Sequence, residues 1–448
     1  PLADEGVKRV DMDGFIDNQG NFGADGIVGP HHEKEGSFYT IKQLWSPVQI
    51  MNTSVDKQFD GKFSVENRYD FLNLNTCRFL WKQVKFPTAT DASNTTAQVL
   101  KQGEVQGSDV AAHLAGVLDI KTTILPDADA LFLTAIDRYG HELWRWTFPV
   151  NKLNQANEVL SPLSNKVTST ETENELTVKA KNHTFIFSKK DGQLKGVSVN
   201  NRKISFANGP RFIGARRADR SLDQFYNHDD EKAKEKDRTY SEFPDAAVFT
   251  KLDVKEDGGN LIVTADYKLG NLDKVQWTIN PNGEAVLDYT YNFSGVVDLM
   301  GICFDYPEDQ VISKRWLGAG PYRVWQNRIH GTQYDVWEND YNDPIPGETF
   351  TYPEFKGYFG SVSWMNIRTK EGTISLTNET PDAYIGVYQP RDGRDRLLYT
   401  LPESGISVLN VIPPVRNKVN STDLCGPSSQ PKWVNGPQSG RIIFRFME

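Results

Sequence analysis

Val275-Gln-Trp-Thr-Ile-Asn-Pro-Asn-Gly-Glu-Ala-Val-Leu-Asp-Tyr-Thr-Tyr-Asn-Phe293 decides the fold class. Val275, Trp277 and Ile279 alternate with polar residues. Pro281-Asn282-Gly283 then breaks the run, and Ala285, Leu287, Tyr289, Tyr291 and Phe293 alternate again. Side chains on an extended strand point to opposite faces in turn, so each run has one apolar face, and the Asn-Gly between them suits a tight reversal. Two half-buried strands joined by a turn need a second layer to cover them.

The same period runs outward in both directions. Upstream, Phe185-Ile-Phe187, the Asp191-Gly192 turn, Leu194 to Val199, Asn200-Asn201 and Lys203-Ile204 form a hairpin series, and Arg441-Ile-Ile-Phe-Arg-Phe446 reads as a closing strand. Residues 176–448 therefore predict one large, many-stranded double sheet, more than an ordinary sandwich holds. Residues 50–152 predict a smaller sandwich of immunoglobulin-like type. Its strands are an alternation from Phe63 to Phe71, then Cys77-Phe79-Trp81, Asp129 to Ile136 and Leu143 to Phe148. Residues 153–175, poor in apolar side chains, read as a linker, and the charged run from Asp219 to Asp245 as a solvated loop. Before the strands, Phe38, Ile41, Leu44, Trp45 and Val48 fall near helical spacing behind a Gly36-Ser37 cap, and Pro47 ends the helix.

The 448 residues carry 50 basic and 59 acidic side chains, a net charge of −9. That balance, with no basic stripe, argues against nucleic acid and against an anionic membrane surface. No apolar stretch reaches the length of a membrane-spanning helix. Three cysteines, Cys77, Cys303 and Cys425, stand far apart and make neither a disulfide framework nor a metal-binding pair.

Several stretches resemble a known family. Asn21-Phe-Gly-Ala-Asp-Gly-Ile-Val-Gly-Pro-His-His-Glu-Lys-Glu-Gly-Ser-Phe-Tyr-Thr-Ile-Lys-Gln-Leu-Trp-Ser-Pro47 resembles the end of the catalytic (β/α)8 barrel in family 2 glycoside hydrolases of the β-galactosidase type. Phe63-Ser-Val-Glu-Asn-Arg-Tyr-Asp-Phe-Leu-Asn-Leu74, followed by Phe79-Leu-Trp81, resembles the opening of the next, immunoglobulin-like domain. Phe187-Ser-Lys-Lys-Asp-Gly-Gln-Leu-Lys-Gly-Val197 is similar to the start of the closing galactose-mutarotase-like supersandwich, and Trp316-Leu-Gly-Ala-Gly-Pro321 to a Gly-x-Gly-Pro stretch within it. The resemblance runs along essentially the whole chain. It implies a barrel remnant at 1–49 ahead of the two sandwiches.

Retaining glycosidases cleave with two carboxylates about 5–5.5 Å apart. In the family both lie on barrel strands upstream of the stretch at 20–30, and Pro1–Asn21 holds no Asn-Glu motif. Asp11, Asp13 and Asp17 sit in Gly-rich surroundings that suit turns. The resemblance thus implies a non-catalytic, carboxy-terminal region of an exo-glycoside hydrolase, with no catalytic residue of its own. Its partners would be the catalytic barrel of the same polypeptide and a galactoside-like carbohydrate, with a homo-oligomer compatible with the same resemblance. A periplasmic or extracellular site is expected for a bacterial glycan-degrading parent.

The resemblance also nominates site residues. Phe22 and Asp25 match positions that, in the family, hold a sodium ion and touch the sugar. Asp stands here where the family has Asn, which adds a charge to an oxygen-rich cation site. No cofactor is otherwise implied, and sodium or magnesium is the candidate ion of the full enzyme. His31 is nominated for the sugar side. The run His31-His32-Glu33 lacks a matched third ligand, and adjacent histidines on one loop point apart. Trp433 matches a loop tryptophan sent toward the family's active site. Trp325 belongs to a segment, Trp316 to Tyr341, with six aromatics in 26 residues. Such rings either stack on sugar C–H surfaces, with Arg323, Asn327 and Asn339 as polar contacts, or fill a core. Two other functions compete: a stand-alone carbohydrate-binding module, and a mutarotase-like epimerase, for which His183, His228 and His330 show no spacing to a particular acid.

Overall fold

The computed structural model describes residues 27–28, 34, 36–91, 96–150, 166–217, 240–243, 245–340, 357–380, 382–387, 402, 404–414 and 426–448. A single α-helix among them, α1 (Gly36–Leu44), leads into the first sandwich. Its strands are β1 (Val48–Ile50), β2 (Lys62–Asn67), β3 (Arg78–Lys85), β4 (Gln98–Gln106), β5 (Ala115–Asp119), β6 (Ala130–Ile136) and β7 (Glu142–Pro149). A sheet ordered β1-β2-β5 faces one ordered β4-β3-β6-β7, and both are antiparallel. Alternate side chains of both sheets, among them Phe63, Val65, Phe79, Trp81, Leu118, Leu133 and Phe148, meet in one core. Val48, expected on the helix, belongs instead to β1, because Pro47 forces the chain out of the helical path.

The alternation from Phe63 to Phe71 stops early. Asn67 is buried and turns the chain: its side-chain amide donates to the carbonyls of Leu72 and Val110, and its oxygen accepts from the Tyr69 N–H. An asparagine that binds its own backbone two residues on makes a turn out of a strand-like pattern. Phe71 consequently lies in a loop with 95% of its surface exposed.

The second body contains β8 (Thr168–Glu171), β9 (Glu175–Ala180), β10 (His183–Ser188), β11 (Leu194–Val199), β12 (Arg202–Ile204), β13 (Ala207–Arg217) and β14 (Tyr240–Glu242). There follow β15 (Val248–Asp257), β16 (Asn260–Lys268), β17 (Leu272–Ile279), β18 (Ala285–Val297), β19 (Leu299–Asp305), β20 (Val311–Gly320) and β21 (Gln333–Asp340). The last are β22 (Trp364–Thr369), β23 (Gly372–Asn378), β24 (Tyr384–Val387), β25 (Ile406–Val411) and β26 (Lys432–Met447). One sheet runs β24-β25-β19-β13-β11-β10-β9-β8, with β12 and β14 attached at its side. The other runs β15-β16-β17-β18-β26-β23-β22-β20-β21. Their inner faces share a core of Phe185, Phe187, Phe206, Trp277, Tyr291, Phe304, Phe444 and Phe446 with many aliphatic side chains. The expected class, mainly β with a large double sheet behind a smaller sandwich, is the observed one. Of the segment expected as a linker, 153–165 lies outside the described residues, and β8 occupies part of the remainder.

The two sandwiches share a third apolar cluster. Val84, Phe86, Ala89, Ala130 and Phe132 of the first pack on Leu317 and Trp364 of the second. The Trp364 indole N–H donates to the Pro87 carbonyl at 3.0 Å, Asn366 donates to the Ala89 carbonyl at 2.8 Å, and Arg145 pairs with Asp335 at 2.9 Å.

Candidate functional site

The segment between β20 and β21, residues 321–332, holds one nominated residue, Trp325, and touches both α1 and the start of the last strand. It leaves the nine-stranded sheet and folds back over the outer side of the ten-stranded one. There Val324, Trp325 and Tyr358 cover Ile213, Ala215, Leu299, Cys303, Leu409 and Ile412. Trp325 is only 4% exposed, and its ring meets Tyr358 edge-on at 5.5 Å. It is therefore a core residue. A ring whose faces are already occupied offers no stacking surface to a sugar, and the nomination of Trp325 as substrate-binding is corrected accordingly. Trp316 is likewise wholly buried, Tyr334 belongs to the cluster between the sandwiches, and Trp337 packs against the main core, so the aromatic enrichment serves packing.

Gln326 clamps this segment to the start of the last strand. Its backbone N–H donates to the Pro413 carbonyl at 3.0 Å. Its side-chain amide donates to the carbonyls of Ser428 at 2.9 Å and Gln430 at 2.7 Å, and the Asn327 amide reaches the Ser429 hydroxyl at 3.2 Å. Trp433 follows three residues after Gln430. It stands on β26 opposite Val296 of β18, not on a loop, and is 71% exposed. Its neighbours on that outer face are Ser294 and Asn435, hydrogen-bonded across the pair at 2.8 Å.

The other side of the segment holds α1. The Thr40 hydroxyl donates to the His330 carbonyl at 2.8 Å, the Gly331 N–H donates to the Gln43 side chain, and Tyr39 packs on Tyr322 at 5.4 Å. Gly331 has φ +89°, and a Cβ there would lie 2.5 Å from the Thr40 nitrogen, so only glycine lets helix and segment approach this closely. Tyr322 donates to the Gly331 carbonyl, and burial holds its hydroxyl well above the usual tyrosine range. Phe22, Asp25 and His31 lie outside the described residues and precede α1 in the sequence. The hub at 321–332 thus joins the helix that follows three nominated residues to the strand that bears a fourth.

Among the described residues no group of three His, Cys, Asp or Glu side chains could hold a metal. The ion nominated for Phe22 and Asp25 has its residues outside the described ones. Of the histidines weighed for epimerase chemistry, His228 is likewise outside. His183 is buried between the two large sheets with Nε2 on the Phe446 carbonyl at 2.8 Å, while the His330 carbonyl anchors α1. They occupy different places and different structural roles. The clamp residue Gln326 escaped the sequence reading because nothing in its neighbourhood marks a glutamine whose partners lie about a hundred positions away.

Residues 179–411, just over half of the chain, match the family described as beta galactosidase small chain. The chain belongs to that family. A β-galactosidase of Priestia megaterium (strain DSM 319 / IMG 1521) is 22% identical to this small-chain region over 388 residues. That match covers 82% of the present chain and 35% of the relative, so the chain spans about a third of its relative's length. Among solved structures, the galactose 1-epimerase of Lactobacillus acidophilus NCFM is similar at 10% identity. It covers 63% of this chain and 98% of its own, with a TM-score of 0.33. A copper-containing benzylamine oxidase from Hansenula polymorpha covers 83% of this chain and 77% of its own at 8% identity, with a TM-score of 0.26. Scores this low leave both as bare likenesses.

Proposed function

We propose that this small-chain region is the non-catalytic, carboxy-terminal part of a β-galactosidase-like exo-glycoside hydrolase of family 2. In this reading a barrel elsewhere in the enzyme supplies the two carboxylates of the double displacement. The sandwiches buttress that barrel and shape the entrance to its sugar site, with Phe22, Asp25 and His31 on the sugar side and sodium or magnesium as the associated ion. The observation that carries the proposal is the hub at 321–332. It fastens α1 to the second sandwich, while Lys42 pairs with Glu142 of the first, side-chain contacts that a free helix would not need. The galactose-type substrate and a periplasmic or extracellular site follow from the family reading.

Hydrolysis of a nitrophenyl β-galactoside tests it. The 448-residue chain alone is expected to show no turnover, and the protein encoded by the complete reading frame is expected to be active. Robust turnover by the chain alone overturns the reading.

The exposed ring of Trp433 favours a second reading, a glycan-binding module. Calorimetry of the chain with lactose and galactan, repeated with Trp433→Ala, separates the two. Binding that vanishes with the ring supports a module, and silence in both proteins removes it.

A further inference from the structure

Two neighbouring polar atoms on the outer face of the nine-stranded sheet are buried, yet meet no hydrogen-bond partner among the described residues. They are Asn366 Oδ1 of β22 and Ser375 Oγ of β23. The antiparallel register sets these residues directly opposite each other, so their side chains leave the same face with Cβ atoms about 5 Å apart. Ser375 is completely buried. The first sandwich fixes the orientation of Asn366: its amide N–H donates to the Ala89 carbonyl at 2.8 Å, which leaves Oδ1 as an acceptor only.

A buried acceptor beside a buried hydroxyl, unbonded to each other, destabilises the fold unless a third group joins them. The surroundings decide what that group is. Arg445 of β26 stands opposite Ser375, and Arg315 of β20 stands opposite Asn366. Guanidinium groups on both flanks repel a cation. An anion is refused in turn, because Asn366 Oδ1 would offer it a lone pair and Glu284 already pairs with Arg445. The Thr377 hydroxyl is engaged by Arg445 at 3.1 Å and does not fill the role. Complete burial of Ser375 shuts out anything as large as a sugar. What fits is a small neutral molecule that accepts one hydrogen bond and donates another.

We infer that one internal water molecule bridges Asn366 and Ser375, accepting from the Ser375 hydroxyl and donating to Asn366 Oδ1. With its oxygen held, the Asn366 amide keeps its N–H on Ala89, so this water is part of the contact between the two sandwiches. The rest of that contact has the same character. Arg145 Nε and Thr147 Oγ1 of β7 are likewise buried without a partner among the described residues. Both border the shared apolar cluster at Phe132: Thr147 is its register partner, and the Arg145 guanidinium lies 4.6 Å from its ring.

A crystal structure of the chain at a resolution that shows ordered solvent tests the assignment without any variant. A peak within about 3.2 Å of both atoms is expected. A direct bond between Ser375 and Asn366, or a peak that bromide replaces on soaking, overturns it. In solution, magnetic relaxation dispersion of the water oxygen should count one long-lived water fewer in Ser375→Val than in the parent. Ser375→Thr adds the same bulk but keeps the hydroxyl. It should retain that water and melt several degrees above Ser375→Val. Equal water counts and equal melting temperatures in the two variants overturn the bridge, and the crystallographic result stands even where Ser375→Val fails to fold.

Discussion

Trp364→Ala tests how the two sandwiches are held together. Trp364 is completely buried in the cluster they share, its indole N–H is bonded to the Pro87 carbonyl, and the Arg315 guanidinium lies 5.4 Å from its ring. Truncating a buried tryptophan costs about 3–5 kcal/mol through lost burial and a residual cavity. The stranded Pro87 carbonyl places the expected loss at the upper end, about 5 kcal/mol. Trp364→Phe keeps most of the packing and loses the hydrogen bond, for about 1–2 kcal/mol. Because the side chain of the second sandwich packs on the first, the loss falls on their coupling. Urea unfolding of the variant, followed by tryptophan fluorescence and far-ultraviolet dichroism, should therefore show separated transitions where the parent shows its sandwiches melting closer together. A Trp364→Ala protein within about 1 kcal/mol of the parent, with unchanged transitions, would refute the assignment of this cluster as the joint.

Other outcomes follow from buried polar groups. Arg445, 7% exposed, is paired with Glu284 and donates to the Thr377 hydroxyl at 3.1 Å. Arg445→Met should cost about 3–5 kcal/mol by leaving Glu284 unpaired, and adding Glu284→Met should restore much of it in a double-mutant cycle. Burial, assisted by Lys181, holds the His183 pKa below the usual histidine value. The unfolded chain therefore takes up the proton first, and the stability His183 contributes is present above about pH 6.5 and lost as pH falls below it. His183→Gln should flatten that acid limb in melting temperatures measured from pH 7.5 to 5, and an unchanged slope counts against the mechanism. Burial pushes the Cys303 thiol up to about 11 although Arg211 stands 3.7 Å away. A disulfide reagent should modify Cys303 only in denaturant, and rapid labelling of the native chain would contradict its placement.

The strand faces were legible residue by residue. Ala285, Leu287, Tyr289, Tyr291 and Phe293 all point into the core, as their alternation requires. The apolar alternation of the closing strand starts only at Arg441, whereas β26 begins at Lys432. Its earlier inward positions include Gly440, which stands opposite Tyr289 of the adjacent strand β18: a Cβ there would lie 2.3 Å from the Tyr289 hydroxyl oxygen. A strand that carries glycine for close approach looks like a loop to any pattern built on apolar alternation. Trp325 was undecidable for the opposite reason, since an aromatic ring suits a sugar platform and a core equally well until its neighbours are known.

Sequence by itself determined the period of each segment, the helix stopped by Pro47, the order of the two sandwiches and the absence of a basic surface stripe, all properties of neighbouring residues or of their sum. Tertiary structure alone decided the hub and the joint. Thr40 meets the carbonyl of His330, 290 positions away. Gln326 meets those of Ser428 and Gln430, 102 and 104 away, and Trp364 that of Pro87, 277 away. In each contact the acceptor is a backbone carbonyl, which every residue carries alike. Nothing in the string of side chains marks which of 448 identical groups will be the partner, and only the path of the folded chain chooses it.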